Sequence, residues 1–269
     1  MDFFEILNTV MVPNRDDGKK FTDSRRIERI DGILWNSRYR RLNPDGLYVL
    51  YGVKPLAQIE RPVVISTHVD CVPAMTRLFT EDCGADQIRG TYDNAITNAA
   101  ALWLMLENRL PDNVLVAFTG DEERNSNGAV QLTRYLSRMG KRPDLVAVLD
   151  VTDMGWAECA DFTVENNFWT DALGRIVIAA AMEVSGNWRF VPEDPDEVPW
   201  YVPRALVIPE EAEADESWEY DEEDQACFSL CLPVCGPMHS NQGVLARKSA
   251  CQAYLDALER IVRALAGQG

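Results

Sequence analysis

The sequence predicts an α/β protein of three layers, α/β/α, around a central mixed, mostly parallel sheet. Three observations carry this. The runs "PVVISTH", "NVLVAFT" and "DLVAVLDV" are short and almost continuously apolar, the pattern of strands buried on both faces. Between them lie segments with helical spacing, "AITNAAALWLMLENRL" and "NGAVQLTRYLSRMG", so strand and helix alternate. Polar residues follow each run, as expected where function gathers beyond the carboxyl ends of parallel strands.

Taken in order, "DFFEILNTVMV" has helical spacing, and "DSRRIERIDGILWNSRY" places Ile27, Ile30, Ile33 and Leu34 at steps of three and four. The turn "NPDG" leads into the strand-like "LYVLYGV" and then the alternating core, where Gly140 is the C-terminal stop of the second helix. Beyond Asp150, "RIVIAAAMEV" fits helix or strand, "RALVIP" reads as a strand, and "FSLCLPV" as the last central strand. The tail "SACQAYLDALERIVRALAG" aligns Tyr254, Leu255, Leu258, Ile261, Val262 and Leu265 on one side of a helix. With no internal repeat or linker, residues 1–269 are expected to form a single domain carrying an acidic insertion or loop at about 193–224.

The composition, 46% hydrophobic and 26% charged, is that of a soluble globular protein. No apolar stretch reaches the ~18 residues needed to span a bilayer, so no membrane partner is expected. The N-terminus has neither a basic start nor a small-residue cleavage site, which places the protein in the cytoplasm. Seven cysteines at irregular spacing fit reduced thiols. Of these, "CFSLCLPVC" lacks paired C-x-x-C knuckles and reads as strand rather than zinc site. The net charge is −17, and residues 193–224 supply −13 of it through fourteen acids against Arg204 alone. Nucleic acid is therefore excluded as a partner. The acidic segment is either a solvated loop or a rim that attracts cationic substrates and amino termini. Its aromatic residues Trp200, Tyr201, Trp218 and Tyr220 either pack or line a pocket.

Both histidines and a set of acids follow the apolar runs: His68 and Asp70 after "VVIST", Asp121-Glu122-Glu123 after "VLVAFTG", Asp150 after "LVAVL", and His239 after "FSLCLPVCGPM". Asp93, in "GTYDNA", stands immediately before a helix. Singly, each has an ordinary reading as core residue, cap, solvated turn or surface residue. Together, four carboxylates and two imidazoles on one sheet edge would repel unless cations neutralised them. Mixed imidazole and carboxylate donors suit zinc or manganese, with enough ligands for two ions sharing one acid.

"HVDCVP" at 68–73, "YDN" at 92–94, "FTGDEERNSNGA" at 118–129, "LDVT" at 149–152 and "MHS" at 238–240 resemble, in order, the five motifs of the two-zinc exopeptidases, which comprise aminopeptidases, carboxypeptidases and acyl-amino-acid deacylases. The resemblance spans residues 60–245 and is nearest to the compact, single-domain aminopeptidase type. It implies a metallopeptidase with two divalent ions, zinc foremost and manganese or cobalt as alternatives. Asp93 would bridge them, His68 and Asp150 would complete one ion's ligands, and Glu123 and His239 the other's. Glu122 would be the general base. Asp70 would hydrogen-bond the far nitrogen of His68, fixing its tautomer, and the Asp93-Asn94 peptide would be cis. The His-x-Asp spacing suits this, since alternate residues of an extended segment face one side.

Two positions depart from the pattern. Asn125 replaces a turn glycine, a mild change because Asn tolerates positive φ, and Thr97 occupies a small-residue site. The short gap from His68 to Asp93 leaves no room for an inserted dimerisation domain, and a monomer or small homo-oligomer is expected. The substrate is a peptide with a free amino terminus or, on the rival reading, an N-acyl amino acid or peptide carboxyl end. That rival needs a base to grip a carboxylate, with Arg124, Arg204 and Arg247 as candidates. A third reading is a catalytically silent, metal-binding relative.

Overall fold

The computed structural model describes residues 1–13, 20–43, 45–212 and 214–267. Residues 14–19 of the N-terminal stretch, Pro44 of the "NPDG" turn and Glu213 of the acidic segment lie outside the described residues. In chain order the first half comprises α1 (Phe3–Val10), α2 (Arg25–Leu34), β1 (Arg40–Arg41), β2 (Tyr48–Gly52), β3 (Val63–His68), β4 (Thr80–Asp82), β5 (Gln87–Gly90), α3 (Ala95–Leu106), β6 (Val114–Thr119), α4 (Glu122–Asn125) and α5 (Asn127–Arg138). The second half comprises β7 (Leu145–Thr152), β8 (Thr163–Glu165), α6 (Asp171–Val184), β9 (Arg189–Val191), α7 (Glu216–Glu222), β10 (Cys227–Cys235), β11 (Val244–Arg247) and α8 (Lys248–Ala266).

The sheet runs β1-β2-β6-β3-β7-β10-β11-β5-β4, with β8 paired to β10 and to β9. Its centre, β6-β3-β7-β10, is parallel, and antiparallel strands lie to either side. β3 and β6 are buried along their whole length, which is why their sequences show no polar alternation. One face carries the larger core, which includes Ala147, Leu149 and Leu230; α3 and α8 pack on the strands, with α1 against α3 and α6 against α8. The other is covered by α5 and α7 over Val146, Val148 and Leu115. The expected three-layer fold around a mixed sheet holds, with the parallel pairing concentrated in its core and antiparallel pairs on both sides.

Local chemistry sets the helix ends. Asp2 and Glu5 form a reciprocal capping box on α1, each side chain accepting the other's backbone N–H at 2.8 Å. Gly140 takes φ +64°, ending the last turn of α5 in the left-handed region as expected. At Gly128 a Cβ would stand 2.6 Å from the carbonyl oxygens of both Gly120 and Leu47, so only glycine lets α5 lie this close beneath the end of β6. The six apolar residues named in the tail are all buried along α8.

Several expectations need correction. "RIVIAAAMEV" is helical, within α6. "RALVIP" is not a strand but a 3-10 turn at Arg204–Leu206 followed by one isolated bridge from Val207 to Phe190. Pro203 precedes it and Pro209 is its last residue, and neither has an N–H to donate to a ladder. The acidic segment is not merely a solvated loop, because it forms α7 and buries Glu216. Among its aromatics, Tyr220 is buried with its hydroxyl on Ser66, Trp218 meets Phe168 edge-on, and Arg175 covers the exposed Trp200. All seven cysteines are free thiols. Among the described residues no helix is long and apolar enough to cross a membrane.

Candidate metal centre

The carboxyl ends of the parallel strands meet over one cavity of about 260 Å³. β3 ends in His68; β7 presents Asp150 two residues before its end; the turn after β6 opens α4 with Glu122 and Glu123; and the loop after β10 delivers His239. Asp93 precedes α3, and its peptide bond to Asn94 is cis, as the resemblance implied. The Asn94 amide donates to the Leu149 carbonyl at 2.7 Å, tying this turn to β7. Thr97, the departure noted above, is buried and hydrogen-bonded to Asn94 and Thr67. The positive φ near the Glu-Glu pair falls on Asp121 and Ser126, which bracket α4, rather than on Asn125.

Asp93 stands at the centre. Its Oδ1 is 3.1 Å from His68 Nε2, and its Oδ2 is 2.8 Å from His239 Nε2. His68 Nε2 is also 3.8 Å from Asp150 Oδ1, and His239 Nε2 is 3.5 Å from Glu123 Oε2. Two of the three donor clusters found among the described residues are thus His68-Asp93-Asp150 and Asp93-Glu123-His239, which share Asp93; the third is His68-Glu122-Glu123. Four ligands at ~2.0–2.1 Å around one ion stand about 3.3 Å apart, so the observed separations suit coordination, and the donors are those zinc takes. The residues fit two divalent ions, Asp93 common to both.

Supporting contacts hold the set. Asp70 accepts the N–H groups of Glu122 and Glu123 at 3.4 and 3.3 Å, pinning the first turn of α4. Its Oδ1 faces His68 Nδ1 at 3.5 Å, at the outer limit of a hydrogen bond, and that buried nitrogen has no nearer partner. Glu123 Oε1 accepts from the Val72 N–H at 3.1 Å, leaving Oε2 toward His239. Glu122 Oε2 lies 3.8 Å from His68 Nε2.

Crowding so many charges shifts them all. Burial pushes the Glu122 carboxyl up to about 9, opposed by His68 and helped by Asp150, Glu216 and Asp93. Burial likewise lifts Glu123 to about 7 and Asp150 to about 6. For His68, burial works against charge but is outweighed by Glu122, Asp150, Asp70 and Asp93, which hold its pKa well above the usual imidazole value. The hydrogen bond to Asp93 raises His239 to about 9. Burial opposes ionisation of Asp93 too, yet both histidines hold it below the usual carboxylate range. Without cations the cluster keeps itself together by retaining protons.

Two acids that sequence reasoning missed also line the cavity, Glu165 and Asp215. Glu165, at the end of β8, is 2% exposed, and burial raises its carboxyl to about 8 against the hydroxyls of Thr163 and Thr152. "DFTVE" ends in an acid just as the longer runs do, a signal present but short. Asp215 caps α7, accepting from Ser217 N–H at 2.8 Å and from the Asn166 amide at 3.4 Å. No lysine or arginine lines the cavity among the described residues. Arg124 and Arg204 are exposed, and Arg247 donates to the Ala160 carbonyl and covers the Trp156 ring.

No protein-family profile and no curated protein matches the chain. Solved structures do. The TET aminopeptidase of the marine sediment archaeon Thaumarchaeota archaeon superposes with a TM-score of 0.69 at 9% identity, over 98% of this chain and 99% of that one. An aminopeptidase of Desulfurococcus kamchatkensis gives 0.65 at 11% identity, over 97% and 94%. A zinc aminopeptidase of Bacillus subtilis gives 0.54 at 16% identity, over 80% of this chain and 48% of that one. The chain shares the zinc-exopeptidase fold over nearly its whole length.

Proposed function

We propose that the protein is a two-zinc aminopeptidase that removes N-terminal residues from peptides. One observation favours this over the rival uses of the same site: the cavity that holds the ligand set is walled by Glu165 and Asp215 and by no lysine or arginine among the described residues. Such a wall accepts an ammonium and repels a carboxylate. A deacylase or carboxypeptidase needs the opposite, and none of its candidate arginines is among the residues lining the cavity.

On this reading His68, Asp93 and Asp150 hold one ion, and Asp93, Glu123 and His239 the other. When bound, the pair supplies Lewis acidity at the scissile carbonyl and lowers the pKa of the attacking water. Glu122 is left without a ligand role, so it takes the proton of the water and returns it to the leaving amine. Asp70 acts through others, orienting His68 and fixing the turn that carries both glutamates.

The test is a screen of zinc-reconstituted protein against aminoacyl anilides and N-acetyl amino acids. We expect cleavage of the former and none of the latter. Glu122→Gln should keep its zinc while losing at least 100-fold in kcat/KM, within the range general bases contribute, about 10²–10⁴. Cleavage confined to N-acyl substrates would favour the deacylase reading, and a zinc-loaded protein inert to both would favour a silent relative.

A further inference from the structure

We propose that Glu165 forms the floor of the cavity's side-chain subsite and selects peptides whose first residue is basic, lysine or arginine; this rests on the aminopeptidase reading and names its substrate class. The placement follows from the sheet. Across β10, Glu165 pairs with Ser229, which pairs in turn with Val148 of β7, while Cys231 lies opposite Asp150. Paired residues share a face, so Asp150, Cys231 and Glu165 line the same side of the sheet. Glu165 sits two strands over from the ligand Asp150, roughly 10 Å laterally at the usual strand spacing, and two residues deeper.

That span separates two tasks. The α-amine of a bound peptide must stay near the reacting carbonyl and so beside Asp93 and Asp150. A carboxyl two strands away is out of its reach, yet within that of the flexible four-carbon stem of lysine or the fork of arginine. Cys231, on the strand between, also lines the cavity along that span. Glu165 itself is 2% exposed and still lines the cavity, and its side chain accepts from neutral threonine hydroxyls, Thr163 Oγ1 among them. Among the described residues no lysine or arginine lines the cavity beside it, and Asp150 and Asp215 share that lining. A carboxyl buried without a counter-charge is costly to keep, and an incoming ammonium would supply that charge. Asp215, which accepts from the Ser217 N–H at the start of α7 and from the Asn166 amide, brings a second carboxyl to the same wall.

Lysinamide and norleucinamide share the α-amine and the four-carbon chain and differ in the terminal ammonium. Titrated into zinc-loaded Glu122→Gln protein, which does not turn ligands over, lysinamide should bind at least tenfold more tightly. Adding Glu165→Gln should remove most of that ratio, and Glu165→Asp, which keeps the charge at shorter reach, should leave it intermediate. In the active protein the kcat/KM ratio of lysyl to norleucyl anilide should fall at least tenfold in Glu165→Gln. Equal affinity for the two amides overturns the inference while leaving the aminopeptidase reading intact. Equal loss of both amides in Glu165→Gln also overturns it, since Glu165 would then serve the α-amine or the fold. A zinc-loaded protein that binds neither amide overturns the aminopeptidase reading, and this inference with it.

Discussion

Replacing Glu216 by Gln should remove a pH-dependent stability difference of roughly 3 kcal/mol. Glu216 is 1% exposed at the start of α7; its Oε2 accepts from Ser66 Oγ at 2.9 Å, Ser66 Oγ accepts from Tyr220 at 2.9 Å, and its Oε1 has no partner. Burial pushes the carboxyl from 4.5 up to about 7, held back by Thr119, His68 and Ser66. The folded state therefore holds a proton that the unfolded chain releases earlier. The resulting stability is fully present below about pH 4.5 and is lost as pH rises through about 7. A shift of this size, at about 1.36 kcal/mol per unit, gives the figure above. Gln is neutral throughout and can still accept from Ser66, so it carries no such dependence. The assay is urea unfolding of chelator-stripped wild type and Glu216→Gln at about pH 5 and about pH 8, followed by circular dichroism. We expect the variant to gain on wild type by roughly 3 kcal/mol between the two pH values. Stability curves that stay parallel would show that Glu216 is ionised in the folded protein and refute the reasoning.

Zinc should stabilise the protein strongly: at a hundredfold excess over Kd each site contributes about 2.7 kcal/mol, which for a chain of this size raises Tm by on the order of 10 °C, as differential scanning fluorimetry reads. Because His239 and Glu123 carry pKa values of about 9 and 7 in the metal-free cluster, zinc binding at pH 7 should release protons and tighten as pH rises; calorimetry in two buffers of different ionisation enthalpy measures the release, and none would contradict the expectation. Gly128→Ala should cost about 1–3 kcal/mol, because the new methyl meets two backbone carbonyls that cannot swing aside. Thermal unfolding checks this, and an unchanged Tm would mean α5 can retreat from β6.

The central sheet was legible because β3, β6, β7 and β10 are buried on both faces and so read as apolar runs without alternation. The gathering of the candidate donors was legible for a related reason, since parallel strands deliver their next residues to one edge and both histidines fell there. What could not be read depends on pairing. β4 and β5 pair locally but are very short, and β5 joins β11 across more than a hundred residues, a partnership that no local pattern announces. Glu165 ends a three-residue strand whose position beside β10 exists only in the folded register. Asp215 and Glu216 were hidden among fourteen acids in one segment, where composition cannot tell a solvated carboxylate from a buried one. The "RALVIP" expectation failed because Pro203 before the stretch and Pro209 at its end cannot donate to a ladder, whatever the hydrophobicity between them.

Counting zinc bound to wild type and to Asp93→Ala probes the shared position of Asp93 between His68 and His239. After chelator stripping and reconstitution, elemental analysis should find close to two ions per wild-type chain and almost none on Asp93→Ala. A wild-type chain that retains no zinc, or a variant that retains as much as wild type, would show that these residues do not form one two-ion centre.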